Sequence, residues 1–229
     1  MDFSIRSNQL ELLDRPDIPA ADIQQNLYEL SVINEKLGGH AITWQGFLQF
    51  AKKDQSLHVC EIGCGGGDNL KYIERRTAGI QGQPSFTGID INPDCIRVAE
   101  NAGWKHTARF LVNDYKRVIF KSKPDIIFCS LFCHHFRDAD LIEMFRWMRE
   151  NSGSGFFIND LHRHPLAYHS IRILTSIFSK SHLVKNDAPL SVLRGFKKKE
   201  LKNLLQQSGI SNYTIQWKWA FRWLVIVRS

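Results

Sequence analysis

Short apolar runs alternate with stretches of helical periodicity along most of this chain. Five of these runs predict β-strands, at residues 57–62, 86–90, 109–112, 125–129 and 155–158. Strands separated by helices are typical of a parallel sheet that is covered on both faces. Two further runs at the end of the chain, 214–218 and 223–227, predict a terminal antiparallel hairpin. The pattern therefore predicts an α/β fold with a seven-stranded, mostly parallel sheet.

Two segments depart from this alternation. Residues 1–50 precede the first strand and predict a helical region, because apolar side chains recur there at helical spacing. Residues 163–195 are longer than a connector requires, and insertions of that length are often functional lids. Apolar side chains cover most of the circumference of the helix predicted there, so we expect it to be buried, packed on a partner or lining an apolar pocket. They are Leu166, Ala167, Tyr168, Ile171, Ile173, Leu174, Ile177 and Phe178.

Composition places the chain among soluble globular proteins. Of its 229 residues, 43% are hydrophobic and 23% are charged. The first residues are polar, and no run of about 18 apolar residues occurs, so we expect no membrane span and a cytoplasmic location. The chain has five cysteines, an odd number, and each lies in or beside an apolar run, which predicts free thiols rather than disulfides.

The formal charge of +7 is unevenly distributed. Residues 163–200 hold eight Lys or Arg and two acidic residues, a net +6. Residues 1–58 hold five basic and eight acidic residues, a net −3. Because the excess is local, a protein that binds nucleic acid over its whole surface is not the expected class.

A glycine-rich turn follows the first predicted strand. The stretch HVCEIGCGGGD, residues 58–68, does not fit the dinucleotide pattern G-x-G-x-x-G, because position 68 is Asp. It fits acid-x-G-x-G-x-G, with Glu61 at the acidic position and glycine at positions 63, 65 and 67. Such glycines allow positive φ angles and close approach of a ligand, and the N-terminus of the next helix favours a ligand carboxylate. The turn predicts a nucleotide-like ligand.

The ends of the next two strands carry polar groups. Asp90 ends the second strand, where a carboxylate can accept hydrogen bonds from two ribose hydroxyls. Asn113 and Asp114 end the third strand, in a place suited to reading an adenine edge, with an ordinary helix cap as the alternative role of Asp114. Because the carboxyl ends of parallel strands meet at one edge, these groups should surround one ligand.

These motifs resemble those of the class I S-adenosylmethionine-dependent methyltransferases: EIGCGGGD the glycine-rich motif, GIDIN the ribose-binding turn, and VNDY the adenine-side turn. The resemblance covers residues 55–160 in motifs and extends to 229 in architecture. It implies S-adenosylmethionine as cofactor, bound by Glu61, Gly63, Gly65, Gly67, Asp90, Ile91, Asn113, Asp114, Tyr115 and Ser130. INDLHRHPLAYH and HLVKNDAPLSVLRGF further resemble a small-molecule subgroup found beside polyketide or isoprenoid-type biosynthetic enzymes.

The resemblance suggests one methyltransferase domain over residues 1–229. Within it we distinguish four parts: an N-terminal helical cap at 1–50, a cofactor-binding core at 55–160, a lid-like insertion at 163–195, and a C-terminal helix and hairpin at 196–229.

Three histidines follow strands on the acceptor side and are candidate catalytic residues. His134 and His135 follow the fourth strand, and His162 follows the fifth. An imidazole titrates near neutral pH and could act as a general base, although packing or turn roles are equally open. Arg163, Tyr168 and Arg194 are candidate substrate-binding residues of the insertion. No cluster of carboxylate ligands is evident, so no metal is expected.

The residues after the fourth strand constrain the acceptor. Ser130-Leu-Phe-Cys stands where methyltransferases of exocyclic or amide nitrogen carry Asn-Pro-Pro-Tyr or Asp-Pro-Pro-Tyr, which argues against that route to nucleic-acid methylation. We therefore expect a small, largely apolar or aromatic acceptor, with O-methylation favoured over C-methylation. Two alternatives stay open: an RNA or protein methyltransferase that uses the basic segment 163–200, and a non-catalytic cofactor-binding partner subunit. The all-round apolar helix is also compatible with a homodimer.

Overall fold

The computed structural model describes residues 2–15, 17–52, 55–77 and 82–229. Eight α-helices and seven strands occur in these residues. The helices are α1 (Ala20–Lys36), α2 (Gly39–Leu48), α3 (Asp68–Thr77), α4 (Pro93–Glu100), α5 (Asp138–Asn151), α6 (Pro165–Phe178), α7 (His182–Arg194) and α8 (Lys198–Gln207). The strands are β1 (His58–Ile62), β2 (Ser85–Asp90), β3 (Ala108–Val112), β4 (Ile126–Ser130), β5 (Gly155–Leu161), β6 (Tyr213–Lys218) and β7 (Arg222–Arg228).

The strands form one sheet in the order β3-β2-β1-β4-β5-β7-β6. Strands β1 to β5 pair in parallel, whereas β7 pairs antiparallel with both β5 and β6. This confirms the predicted sheet and its terminal hairpin. Strand β5 is longer than predicted, because its pairing with β7 continues to Leu161 opposite Arg222. The order places the carboxyl ends of β1, β2 and β4 side by side.

Apolar side chains are buried on both faces of the sheet, which explains why the central strands are continuous apolar runs. In β7 successive side chains alternate between the two faces of the sheet: Val225 and Val227 belong to one core cluster, and Leu224 and Ile226 to the other. The first cluster includes side chains of α5 and α8, and the second includes side chains of α2 and α3. The sheet therefore has a helical layer on each side.

The N-terminal region is only partly helical. Helix α1 lies against the glycine-rich turn, where a Cβ built on Gly65 would be 3.3 Å from Leu27 Cδ2. Helix α2 packs on the sheet so closely that a Cβ on Gly46 would be 2.5 Å from the ring of Phe157. Residues 2–15, which we call the N-terminal strap, contain a single 3-10 turn at Leu12–Asp14. The predicted helical cap is thus wrong for most of the strap, and Met1, Pro16, Lys53 and Asp54 lie outside the described residues.

The insertion forms a helical hairpin of α6 and α7. Helix α6 buries Ala167, Tyr168 and Thr175. Ile171 is partly buried, and the other apolar side chains are exposed. Of the three alternatives for this helix, full burial is therefore wrong within the described chain, and the other two stay predictions. The exposed side chains form an apolar ridge of Leu166, Ile173, Leu174, Ile177 and Phe178.

Two simple predictions can be compared directly with the structure. All five cysteines are buried free thiols, as expected. Among the helices of the described residues, none combines the length and the apolar character that crossing a bilayer requires.

Candidate functional site

The glycine-rich turn joins the end of β1 to the start of α3. Gly63, Gly65 and Gly67 have φ angles of +65°, +50° and +75°, in the left-handed region that side chains disfavour. At Gly63 a Cβ would also lie 2.1 Å from the ring of Phe132, which follows β4. Both backbone conformation and close packing therefore require glycine here, which explains this part of the motif.

Glu61 lies beneath this turn and is 1% exposed. Its Oε1 accepts a hydrogen bond from Asn69 Nδ2 at 3.1 Å, whereas its Oε2 is buried without a partner among the described residues. Burial, reinforced by the negative charge of Asp68, raises the pKa of Glu61 well above its usual range. A buried acceptor without a partner is costly, so this oxygen is suited to a donor from a bound ligand.

Asp90 fixes the turn from the end of β2. Its Oδ2 accepts a hydrogen bond from the Gly65 amide at 2.9 Å, and its Oδ1 accepts one from the Asn92 amide at 2.9 Å. Burial raises the pKa of Asp90, although these hydrogen bonds oppose the shift. Asp90 thus shapes the binding turn itself. Carboxylate oxygens accept more than one hydrogen bond, so ribose hydroxyls could still bind there.

The residues predicted on the adenine side lie at adjacent strand ends. Ile91 is 75% exposed immediately after Asp90. The Asn113 amide donates to the Asp90 carbonyl oxygen at 2.9 Å, which holds the end of β3 against that of β2. Asp114 caps the 3-10 turn of Tyr115–Arg117 by accepting from the Lys116 amide at 3.0 Å. The capping role is therefore present, and the adenine role stays a prediction.

Ser130 belongs to a buried polar network. Asn159 Nδ2 donates to Ser130 Oγ at 3.3 Å, to Thr43 Oγ1 at 3.0 Å and to the Gly39 carbonyl oxygen at 3.0 Å. These contacts join β4, β5 and α2 at the carboxyl edge of the sheet. The role of Ser130 towards a cofactor stays a prediction.

His134 is buried and does not fit the role of a free base. Its Nδ1 lies 2.7 Å from Asp160 Oδ1, and its Nε2 faces Glu11 at 3.6 Å. Burial alone would lower the pKa of His134, but the two carboxylates outweigh it and raise the pKa to about 9. At neutral pH the ring is therefore protonated in this setting and has no lone pair with which to remove a proton.

His162 is neutral but poorly oriented for proton removal. Burial and nearby positive groups, His164 first, lower its pKa to about 4. Trp217 Nε1 lies 3.3 Å from His162 Nδ1, and an indole nitrogen can only donate. The ring proton must therefore be on Nε2. The prediction of a histidine base narrows to His135, whose Nδ1 lies 3.1 Å from Asp14 Oδ1 and whose side chain is 20% exposed.

Two arginines predicted to bind substrate are buried within the protein. Arg163 is 1% exposed, and its guanidinium donates to Glu200 and to the carbonyl oxygens of Phe3, Ser4 and Gly195. Since all three of its nitrogens are bonded within the protein, the structure favours a structural role, and the substrate role stays a prediction.

Arg194 is likewise buried, and it donates to the carbonyl oxygens of Gln9, His134 and His135. Tyr168 is buried against Phe3, with ring centroids 5.8 Å apart. Both side chains are buried within the protein, which favours structural roles, and their roles towards a substrate stay predictions. The sequence alone does not indicate that the guanidinium of such an arginine will donate to backbone carbonyl oxygens that are distant along the chain.

The structure also places two residues at this edge that the sequence analysis missed. His40 Nε2 lies 2.7 Å from Asp68 Oδ2, at the N-terminus of α3. Arg222 is fully buried, donates from Nη2 to Asn34 Oδ1 at 2.8 Å, and has no partner for Nη1 in the described part of the chain. Burial lowers the pKa of Arg222 to about 10. No local pattern distinguishes either residue in the sequence.

Comparisons with known proteins agree with this geometry. Residues 59–155 match a family model described as a methyltransferase domain. A search of curated proteins found no match. Among solved structures, the plantazolicin methyltransferase BpumL in complex with SAH superposes with a TM-score of 0.66 at 18% identity, over 95% of this chain and 92% of that chain. Human N-acetylserotonin methyltransferase in complex with SAM gives 0.64 at 16% identity, over 92% and 56%.

Likeness at these identities establishes the fold. The chain therefore has the fold of these methyltransferases. Within it, the segment from β1 to the start of β5 is the part that matches the methyltransferase-domain model.

Proposed function

We propose that this protein transfers a methyl group from S-adenosylmethionine to a small, largely apolar or aromatic acceptor, with oxygen favoured over carbon as the methylated atom. The observation that carries the proposal is the turn at Gly63, Gly65 and Gly67, whose positive φ angles are held by the Asp90 carboxylate. A carboxylate bonded to the turn at the switch between strands is the arrangement that binds nucleosides in such sheets.

The residues present fit the cofactor. Asp90 would hold the ribose, Ile91 and Asp114 lie at the adenine side, and the unpartnered oxygen of Glu61 offers an acceptor under the turn. When bound, S-adenosylmethionine supplies a methyl group already activated by a sulfonium charge. The protein therefore has to align the acceptor atom with that methyl group and exclude water.

The character of the acceptor is inferred from the apolar ridge of α6. Ile173 and Phe178 are exposed, and a helix that presents such side chains beside a methyltransferase core is suited to cover an apolar ligand. The likeness to methyltransferases of plantazolicin and of N-acetylserotonin supports a small molecule over a macromolecule. A carboxylic acid is already ionised at neutral pH and needs no base. A phenol, with a pKa of about 10, would need its proton removed, and His135 is the remaining candidate for that step.

Titration of S-adenosylhomocysteine into Asp90 variants tests the cofactor site. Asp90→Ala should lose about 2–4 kcal/mol of binding free energy, because charge-assisted hydrogen bonds disappear. It should also lose stability, since the Gly65 and Asn92 amides lose their acceptor. Asp90→Asn keeps an acceptor oxygen and separates the two effects. Asp94→Asn, on the first turn of α4, is the matched control. Unchanged affinity in folded Asp90 variants would refute the ribose assignment.

A screen of phenolic, polyketide-like and prenylated acids with a labelled methyl donor tests the acceptor class. Once an acceptor is found, Ile173→Ser and Phe178→Ser should leave cofactor affinity intact and reduce methyl transfer. Because both side chains are exposed, stability should change by less than about 0.5 kcal/mol. Full activity of both variants would show that α6 does not cover the acceptor. A loss of oligomer mass would show that the ridge is a subunit interface.

A further inference from the structure

Three metal-ligating side chains converge beside the loop that follows β4. Glu11 lies on the N-terminal strap, and His134 and His135 lie on the 3-10 turn Cys133–His135. One ligand atom from each residue lies within 4.8 Å of the others. His134 Nε2 is 3.6 Å from Glu11 Oε1, and His135 Nε2 is 3.8 Å from Glu11 Oε2. These separations are too long for hydrogen bonds.

The second nitrogen of each imidazole is oriented by a different carboxylate. Asp160 Oδ1 lies 2.7 Å from His134 Nδ1, and Asp14 Oδ1 lies 3.1 Å from His135 Nδ1. An Nδ1–H that donates to a carboxylate leaves Nε2 facing Glu11, and on His134 a metal ion would displace the proton that Nε2 carries at neutral pH. Metal-binding histidines are held in this way in most known sites, because the carboxylate fixes the ring and increases its basicity.

We propose that Glu11, His134 and His135 form a binding site for a divalent transition-metal ion, with zinc as the ion that fits best. Two imidazoles and one carboxylate are a common three-residue set for zinc, with a solvent molecule in the fourth position. Glu11 and His134 are buried, and the partial exposure of His135 gives that fourth position access to solvent.

Three carboxylates surround the two imidazoles at this place. Glu11 and Asp160 are buried carboxylates, and Asp14 is only partly exposed. Two buried cations face Glu11 Oε1: protonated His134, with Nε2 at 3.6 Å, and Arg194, with Nε at 3.9 Å and its hydrogen bonds directed to carbonyl oxygens. A metal ion would replace the proton on His134 Nε2 and fasten the strap to the loop after β4. It would also occupy the lone pair of His135, so His135 would not act as a base.

Metal titration of the chelator-stripped full chain tests the site. Calorimetry with zinc, and visible absorption with cobalt, should each show one ion bound per chain, with cobalt giving the strong bands of a four-coordinate site. Glu11→Gln and His135→Ala should each reduce affinity at least about 100-fold, and Asp14→Asn about 10- to 100-fold. Excess zinc should raise the melting temperature of the wild type and not that of His135→Ala. His169→Ala, an exposed histidine of α6, should behave as the wild type.

The same experiments can overturn the proposal. Absence of stoichiometric binding would mean that the cluster is held by a proton shared among the carboxylates and His134. Wild-type affinity in both Glu11→Gln and His135→Ala would mean that metal binds elsewhere. Should Glu11→Gln fail to fold, His135→Ala and Asp14→Asn decide, because both side chains are partly exposed and tolerate substitution more readily.

Discussion

Replacing Arg163 distinguishes a structural arginine from a substrate-binding one. The side chain is fully buried, with Nη2 2.5 Å and Nη1 3.1 Å from the two carboxylate oxygens of Glu200. It also donates to the carbonyl oxygens of Phe3 at 3.1 Å and Ser4 at 3.2 Å in the strap, and to that of Gly195 after α7. One guanidinium therefore joins three separate segments of the chain.

The expected loss can be worked from these contacts. Removing one partner of a buried ion pair typically costs about 3–5 kcal/mol. Glu200 is partly exposed and can be rehydrated, which reduces the cost, whereas the buried Gly195 carbonyl loses its donor, which adds to it. We expect Arg163→Met to lose about 3–5 kcal/mol of unfolding free energy. For a domain of this size that corresponds to a fall in melting temperature of roughly 6–20 °C.

Urea denaturation and calorimetry measure this loss, and limited proteolysis of the strap provides a local readout. Cleavage near residues 3–10 should become faster in Arg163→Met, because the strap loses two of its anchors. The matched control is Arg172→Met on the exposed surface of α6, which should change stability by less than about 0.5 kcal/mol. If Arg163→Met retained wild-type stability and instead raised KM for the acceptor, the structural reading would be refuted.

Two further predictions concern backbone strain and pH. Gly63→Ala should lower the free energy of unfolding by about 2–5 kcal/mol, because φ is positive there and the new Cβ would contact Phe132. Gly103 has a φ of +68° and nothing within 4 Å of a built Cβ, so Gly103→Ala should lose only about 1–2 kcal/mol. Equal losses of the two variants in denaturation would contradict the packing argument. Because the pKa of His162 is lowered to about 4 in the folded state, its protonation destabilises the fold as pH falls from about 6.5 to about 4. His162→Phe should flatten the dependence of melting temperature on pH in that window relative to the wild type and to His169→Phe, and an unchanged slope would contradict the assignment.

The sheet could be predicted from sequence because its signals are local. Central strands buried on both faces must be continuous apolar runs, and the turn at residues 63–67 must be glycine-rich because its φ angles are positive. Each of these constraints acts within a few residues, so the positions of the strands along the chain and of Asp90 at the end of β2 followed from them. The identity of the ligand class then depended on the resemblance of the motifs.

The acceptor side could not be predicted in the same way, because its contacts join distant parts of the chain. Arg194 bonds to Gln9 across 185 residues, and His134 faces Glu11 across the sheet edge. The strap contains no α-helix or β-strand, so its apolar and polar residues do not recur at a helical or strand spacing that would predict its position. A histidine after a strand looks the same in sequence whether it is a base, a packing residue or a metal ligand. Only the carboxylates beside it separate these roles.

Part of the local positive charge of the sequence is used for contacts within the molecule. Arg163 and Arg194, from the basic segment 163–200, bind carbonyl oxygens of the acidic N-terminal region. The converse also occurs: Glu29 accepts from the amides of Lys180 and Ser181. Part of the positive excess is thus used internally to hold the strap and α1 against the insertion. A phosphate backbone cannot reach these two buried arginines, so any electrostatic footprint for RNA would have to come from the exposed lysines alone, with a correspondingly smaller salt dependence of binding.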